Sequence, residues 1–307
     1  MIKRIIVSGA TSMLGTALID AAIKEETEVF ALVRPGTTRI NRLPDSPLVH
    51  VVEASISNLA DTEGIPEDCD IFYHFAWAGT DKVSRKDGVI QNKNILYTLS
   101  AVRLAHKCGC IKFVGAGSQA EYGLIAGPIK KDTKCVPETA YGKAKLDACN
   151  MSKGLCNQFG MIHIWARIFS VYGPHDNDGT MVNYAIDSFA LKKKAEFSAA
   201  TQKWNYLYES DAGKIFYLIG EKVVSDSTFR VANNKSCILR DYIKEISRQM
   251  NADELCLFAK ADSTTTCYGL EAGENELFDI INYYPQTDFT EGIKKTIESR
   301  IRKYENN

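Results

Sequence analysis

The sequence has no long hydrophobic run and no excess of one charge. No apolar stretch approaches the roughly 20 residues that a membrane-spanning helix needs. The 37 lysines and arginines nearly balance the 38 aspartates and glutamates. Proteins that bind nucleic acid carry concentrated positive charge. The sequence therefore argues against a nucleic-acid partner and against a membrane protein.

Paired cysteines and grouped histidines are also missing. The nine cysteines are scattered, and none stands in the C-x-x-C spacing of a zinc site. Cys108 and Cys110 flank one glycine, which is too tight for ordinary tetrahedral chelation, and the five histidines form no metal-ligand group. We therefore expect that the protein binds no metal and that its thiols are reduced.

The apolar N-terminal segment is too short for a signal peptide, so we expect a cytoplasmic protein.

Short apolar runs alternate with amphipathic stretches through the first two thirds of the chain. The apolar runs predict strands buried on both faces, at residues 2–7, 28–33, 48–52, 70–76, 111–116 and 162–167. The amphipathic stretches predict helices at residues 14–24, 91–108 and 141–159. This alternation is typical of an α/β protein with a doubly wound parallel sheet of the Rossmann type.

The pattern loosens after residue 174. Helices are predicted at residues 180–194, 211–222, 239–250 and 290–304, an extended stretch at 197–210, and a strand at 228–232. We expect a Rossmann domain at residues 1–174, to which 205–235 returns. A smaller C-terminal α/β substrate lobe would then comprise residues 175–204 and 236–307.

The first predicted strand runs into the segment Gly9-Ala10-Thr11-Ser12-Met13-Leu14-Gly15. A dinucleotide pyrophosphate needs close backbone approach and free N–H groups at such a strand-to-helix turn. Gly9 and Gly15 match the outer glycines of a G-x-x-G-x-x-G pattern, while Ser12 replaces the central one and offers a hydroxyl to a phosphate. The turn predicts NAD(P) binding, and the alternative is an ordinary βα turn.

The residue after the second strand distinguishes NAD from NADP. A carboxylate there binds the ribose 2′-hydroxyl of NAD, whereas an arginine accommodates the 2′-phosphate of NADP. Here Arg34 follows the strand, Arg39 and Arg42 lie nearby, and the next acid is Asp45. The sequence favours NADP over NAD, unless Arg34 is a solvated loop residue.

Tyr141 and Lys145 are four residues apart, which places both side chains on one face of a helix. A free tyrosine has a pKa of about 10, and an adjacent ammonium lowers it toward neutrality. Ser118 follows the fifth predicted strand, at the sheet edge where ligands bind in open α/β folds. The three residues predict hydride transfer at an alcohol or ketone carbon.

Several motifs together resemble the extended short-chain dehydrogenase/reductases of the NAD(P)-dependent sugar-nucleotide epimerase/dehydratase family. Tyr-x-x-x-Lys and the glycine turn are two of them. The other matching segments are His74–Ala78, Asn94–Thr98, Arg167–Pro174, Asn205–Ala212, Tyr284–Pro285 and Glu291–Ile293. The resemblance covers nearly the whole chain.

The resemblance implies roles for individual residues. Tyr141 would be the general acid/base, Lys145 its electrostatic partner and Ser118 the third catalytic residue. Cofactor contacts would come from Gly9, Thr11, Ser12, Met13, Leu14, Gly15, Arg34, Phe75, Ala76, Trp77, Tyr141, Lys145, Ile168, Ser170 and Val171. Separately from the resemblance, candidate substrate contacts are Gln119 and, in the lobe, Asn183, Lys192 and Lys203, and for each of the last three the alternative is a solvated side chain. Helices 91–108 and 141–159 would pair across a homodimer.

Departures from the family pattern narrow the reaction. Ser170 stands where the family often has asparagine. Gln119 and Ala120 occupy the positions at which 4,6-dehydratases carry Asp and Glu, and an amide and a methyl group transfer no protons. A 4,6-dehydratase is therefore disfavoured.

The sequence leaves four functions open. We favour an NADPH-dependent 4-ketoreductase that acts on a nucleotide-diphosphate sugar in 6-deoxysugar synthesis, because the segment around Ser118 resembles synthases of the reductase type. The first alternative is a nucleotide-sugar 4-epimerase that keeps NAD bound. The others are a non-catalytic NADP sensor, against which the retained Tyr141 and Lys145 argue, and a reductase of small alcohols or aldehydes.

Overall fold

The computed structural model describes residues 2–261 and 268–305. Seven strands form its central sheet: β1 (Arg4–Ser8), β2 (Glu28–Val33), β3 (Val49–Glu53), β4 (Ile71–His74), β5 (Lys112–Ser118), β6 (Ile162–Ile168) and β7 (Ser227–Val231). The helices are α1 (Met13–Lys24), α2 (Gly88–Lys107), α3 (Ala140–Gln158), α4 (Met181–Ala190), α5 (Glu209–Lys222), α6 (Leu239–Gln249), α7 (Leu277–Ile281) and α8 (Phe289–Glu305).

The central sheet has the strand order β3-β2-β1-β4-β5-β6-β7, and every neighbouring pair is parallel. Strands β3 and β7 form its two edges. The strand order reverses between β1 and β4, where Ser8 is the register partner of His74. In such sheets ligands bind in the crevice at the carboxyl ends of the strands beside this reversal. The predicted α/β fold with a Rossmann-type parallel sheet is confirmed.

Both faces of the sheet are covered by helices. Ile5 and Val7 of β1 pack into the apolar cluster shared with α1, α5 and α7, whereas Ile6 packs into the cluster shared with α2. All three side chains are fully buried. Because successive side chains of a strand point to opposite faces, a continuous apolar run is what a doubly covered strand requires.

The remaining elements form a smaller layer around α4, α6 and α8. Its core is an aromatic cluster of Tyr172, Tyr206, Tyr208, Tyr242 and Phe289, with ring centroids 4.5–5.8 Å apart. The described residues outside the central sheet form four short ladders: Ser170–Tyr172 with Tyr206–Tyr208, Lys203–Trp204 with Cys237–Ile238, Ala195–Phe197 with Cys256–Phe258, and Pro128–Ile129 with Glu271–Ala272.

The chain returns to the central sheet twice after residue 174. β7 pairs with β6 at the sheet edge, and Leu277, Phe278 and Ile281 of α7 pack into the cluster that contains α5. The domain boundary at residue 174 stays a prediction. In the part of the chain that the structure describes, no helix is both long and apolar enough to cross a membrane.

Candidate active site

The glycine turn lies at the carboxyl end of β1, in the crevice. Gly9 has a left-handed φ of +71°, and a Cβ there would lie 2.7 Å from the Ala76 backbone nitrogen. A Cβ on Gly15 would lie 2.4 Å from the Gly9 carbonyl oxygen. The turn therefore needs glycine at both positions, since α1 begins directly against the end of β1.

The start of α1 offers unpaired N–H groups. Ser12 caps the helix, and its Oγ accepts from the Gly15 N–H at 3.1 Å. The N–H groups of Met13 and Leu14 make no hydrogen bond within residues 2–261 and 268–305. Free donors at a helix N-terminus are what a pyrophosphate requires, so these residues fit a dinucleotide. The central serine, which breaks the glycine pattern, serves here as the helix cap.

Arg42, rather than Arg34, reaches the glycine turn. The side chain of Arg34 is exposed at the end of β2. The Arg42 guanidinium donates to the Thr11 carbonyl oxygen at 3.4 Å and to the His175 carbonyl oxygen at 3.5 Å. Burial lowers the pKa of this guanidinium. The Arg34 assignment as an NADP contact stays a prediction.

The segment after β4 forms the other wall of the crevice. Phe75 donates its N–H to the Ser8 carbonyl oxygen, and its ring packs edge-on against Phe216 in the core. The Ala76 backbone faces Gly9. His74 is buried, with Nδ1 2.8 Å from Ser8 Oγ and Nε2 3.3 Å from Thr98 Oγ1. The segment thus contributes backbone, rather than charge, to the predicted cofactor site.

Tyr141 and Lys145 lie in the first two turns of α3, as their spacing predicts. Ser118 lies beside the Tyr141 phenol, close enough to lower its pKa. Burial raises the pKa of this phenol above its ordinary value, while the Arg85 charge and the nearby Ser118 hydroxyl oppose the increase. The structure thus brings the three predicted catalytic residues together.

Lys145 makes its shortest contacts with Ala116 and Trp77, and its role as the electrostatic partner of Tyr141 stays a prediction. Its Nζ donates to the Ala116 carbonyl oxygen at 2.7 Å and lies 3.5 Å above the Trp77 ring centroid. It is 5.8 Å from the Tyr141 ring centroid, whereas the Arg85 guanidinium is 4.7 Å from it. Burial lowers the pKa of Lys145 to about 7, against the raising effect of Glu121. The nearer cation to the phenol is Arg85, which the sequence pattern did not single out.

A buried carboxylate, that of Glu121, holds the backbone of Ser118 in place. Glu121 is fully buried and accepts from the Ser118 N–H at 2.8 Å, Trp165 Nε1 at 3.0 Å and Arg167 Nε at 2.7 Å. These bonds fix the turn that follows β5. Because its oxygens already serve three donors, Glu121 is a structural carboxylate rather than a free proton carrier.

The segment after β6 places the remaining predicted cofactor contacts. Ile168 ends β6, and Ser170 and Val171 begin the short ladder with residues 206–208. Ser170 Oγ accepts from Trp204 Nε1 at 2.9 Å. Ser170 therefore connects the crevice to the lobe, and its cofactor contact stays a prediction.

The predicted substrate residues lie in different surroundings. Gln119 is half-buried beside Ser118. The Asn183 amide donates to the Asn177 carbonyl oxygen at 2.9 Å, and its Oδ1 is buried with no partner in the described residues. Lys203 pairs with Glu271 at 2.7 Å, and Lys192 is exposed after α4. Gln119 adjoins the catalytic residues, while Lys203 is already neutralised by a partner.

The fold and this site define an NAD(P)-binding enzyme of the extended short-chain dehydrogenase/reductase class. The model of the NAD dependent epimerase/dehydratase family matches residues 5–233. The chain belongs to this family.

Two curated relatives and one solved structure are similar to the chain. "Uncharacterized UDP-glucose epimerase YtcB" from Bacillus subtilis (strain 168) is 24% identical over 72% of this chain and 75% of its own length. CDP-abequose synthase from Salmonella muenchen is 23% identical over 98% of this chain and 95% of its own. The crystal structure of UDP-glucuronic acid 4-epimerase from Bacillus cereus with NAD has a TM-score of 0.85 and 18% identity, over 99% of this chain and 98% of that one. The last likeness shows the fold.

Proposed function

We propose that this protein is a 4-ketoreductase that transfers hydride from NADPH to C4 of a nucleotide-diphosphate sugar. The observation that carries the proposal is that Tyr141 lies beside Ser118, and that Gln119 and Ala120, which follow Ser118, carry no carboxylate. One phenol moves one proton, and no carboxylate stands at positions 119 and 120 for the further proton transfers of dehydration.

The protonation state of the Tyr141 phenol supports the reduction of a carbonyl group. Because burial raises the pKa of Tyr141, the hydroxyl is protonated at neutral pH and is ready to donate to a carbonyl oxygen. Ser118 would hold the same oxygen in place. The nicotinamide, when bound, supplies the hydride. The free N–H groups of Met13 and Leu14 would hold its pyrophosphate, and the buried Lys145 would contact the cofactor beside Tyr141.

The family relatives also bear on the substrate. CDP-abequose synthase, which aligns with nearly the whole chain, is named for the formation of a nucleotide-linked sugar. The segment Gly117–Gly123 has the sequence that suggested a synthase of the reductase type. We therefore propose a nucleotide-linked 4-keto sugar as the substrate, a homodimer as the assembly and a cytoplasmic location.

A nucleotide-sugar 4-epimerase is the second candidate. It is favoured by relatives named as epimerases. An epimerase removes hydride from C4 and returns it to the other face, so it consumes no cofactor.

The test measures whether the dinucleotide is consumed during the reaction. The purified full-length chain is incubated with NADPH or NADH and with UDP-, dTDP-, CDP- and GDP-linked 4-keto-6-deoxysugars, and dinucleotide oxidation is measured. A reductase oxidises one equivalent per product. Interconversion of 4-epimers without added dinucleotide, with NAD released on denaturation, would establish the epimerase instead. Dinucleotide binding without turnover of any sugar would indicate the sensor.

A further inference from the structure

Arg85 holds a positive charge against the ring of Tyr141. It lies in the short 3₁₀ turn Ser84–Lys86, and its guanidinium carbon is 4.7 Å from the phenol ring centroid. In the part of the chain that the structure describes, Arg85 has no ion pair and no side-chain hydrogen bond. We propose that Arg85 is a positioning residue that sets the ionisation of Tyr141. This inference rests on the proposed function, in which Tyr141 is the acid/base.

The loop that carries Arg85 is fixed by a buried side chain. Gln91 of α2 is fully buried, and its Nε2 donates to the Gly79 carbonyl oxygen at 2.8 Å and to the Ser84 carbonyl oxygen at 2.9 Å. Its Oε1 accepts from Trp77 Nε1 at 2.8 Å. One glutamine thus anchors the residue before Arg85 and the indole beside Lys145. The backbone just before Arg85 is therefore held by a buried side chain, while Arg85 itself is exposed.

The charged neighbours of the phenol are few. Arg85 faces it from the loop, Glu121 from the turn after β5 and Lys145 from its own helix. Glu121 is already paired with Arg167 at 2.7 Å. Lys145 lies farther from the ring than Arg85 and is held at the Ala116 carbonyl oxygen. Arg85 is therefore the cation best placed to stabilise the phenolate.

The direction of the effect follows from electrostatics. A positive charge within about 4–6 Å favours the phenolate and lowers the pKa of the phenol. Removal of the charge then raises that pKa. A reductase loses activity where the phenol ionises, so the alkaline limb of its pH profile moves to higher pH when Arg85 is neutralised. In the oxidising direction the acidic limb moves the same way.

The first experiment measures kcat/KM against pH for the wild type, Arg85→Gln, Arg85→Lys and Lys86→Gln. Lys86 is the matched control, because it is exposed in the same turn and carries the same charge. We expect Arg85→Gln to move the Tyr141 limb by about one pH unit to higher pH. Arg85→Lys should move it less, and Lys86→Gln should reproduce the wild type. Equal profiles for Arg85→Gln and Lys86→Gln would overturn the inference.

The second experiment does not depend on turnover. The full chain is labelled with [¹³Cζ]tyrosine, the Tyr141 resonance is assigned by its loss in Tyr141→Phe, and its titration is followed without substrate. The midpoint should lie at higher pH in Arg85→Gln than in the wild type and in Lys86→Gln. An unmoved midpoint overturns the inference even in an active enzyme. Failure to turn over any nucleotide sugar would instead defeat the proposed function alone.

Discussion

The chemistry of single residues at the site is set by where each side chain is anchored. Tyr141 sits on α3, Ser118 at the end of β5 and Arg85 on the loop before α2, so three elements meet at one phenol. The Lys145 ammonium lies closer to the Trp77 ring, at 3.5 Å from its centroid, than to the Tyr141 ring, at 5.8 Å. The two cations of the site therefore have different neighbours, and substitutions at each should have different consequences.

Removal of the Tyr141 hydroxyl should abolish proton transfer without disturbing the cofactor turn. We expect Tyr141→Phe to lower kcat by about 100-fold or more, because general acid catalysis contributes on that scale. Dinucleotide affinity should stay close to the wild-type value. Steady-state kinetics and calorimetric binding measure the two effects. Tyr284→Phe, which removes an exposed phenol bonded to Asp279, is the control; wild-type turnover in Tyr141→Phe would contradict the assignment.

His74 should make the protein sensitive to acid. Burial lowers its pKa to about 3, against an ordinary value near 6.5, so the folded state binds fewer protons than the unfolded chain between these two values. The free energy of unfolding therefore falls as the pH decreases from about 6.5 to 3, by up to about 1.4 kcal/mol per pH unit from this residue. Denaturant titrations across this range measure the slope.

The control for the acid effect is His74→Asn. The asparagine amide can replace the hydrogen bond to Ser8 but does not titrate in this pH range. Its slope should be shallower than that of the wild type over the same pH range. Because His163 is also buried and its pKa is lowered to about 4, part of the slope should remain. Identical slopes in both proteins would show that His74 is not the titrating group.

At the scale of secondary-structure elements, long periodic segments could be predicted and short ones could not. The apolar runs of β1, β2 and β5 and the amphipathic α3 carry their own signal, and each was found within a few residues. The ladder of Pro128–Ile129 with Glu271–Ala272 has two residues per strand, so only tertiary contact defines it. The five-residue α7 is likewise too short for a helical period.

Site residues that share one periodic element could be predicted from the sequence, whereas residues brought together only by tertiary contacts were missed. Tyr141 and Lys145 share one helix, so their spacing alone placed them together. Arg85 reaches the phenol from a loop that Gln91 fixes through its side chain. Such a contact depends on the packed fold and leaves no period in the sequence. Arg42 was named only as a neighbour of Arg34, for the same reason.

Two glycines in helices should respond oppositely to alanine. A Cβ on Gly15 of α1 would lie 2.4 Å from the Gly9 carbonyl oxygen, so Gly15→Ala should displace the turn and weaken both stability and dinucleotide binding. Gly154 of α3 is exposed with open space around it. Gly154→Ala should stabilise the protein by about 0.5–1 kcal/mol. Thermal unfolding and dinucleotide titration of both variants measure this; a destabilised Gly154→Ala would contradict it.

At the scale of the whole molecule, one surface of α2 and α3 is more apolar than solvent exposure favours. Val89 and Leu96 of α2 are 69% and 64% exposed, and Met151 of α3 is 49% exposed. The two helices pack side by side on one face of the sheet. Exposed apolar side chains on two helices that pack together are a feature of contacts between protein copies.

We therefore expect a homodimer that buries α2 and α3. Leu96→Glu should place a charge in the contact and shift the mass measured by light scattering from dimer to monomer, with the circular dichroism spectrum unchanged. Val224→Glu is the matched control, because Val224 is 78% exposed beyond α5. A monomeric wild type, or a dimer that survives Leu96→Glu, would contradict the expectation.

The edge strand β3 has a consequence for solubility. Among the residues that the structure describes it pairs with β2 alone, and its Val51 is 45% exposed. An open strand edge is a template for the addition of another chain. His50 and Glu53 place polar groups on the same short strand, and His50 is bonded to Glu28. Polar side chains on an edge strand oppose the addition of another strand. Replacement of His50 and Glu53 by valine should therefore make this edge prone to aggregation.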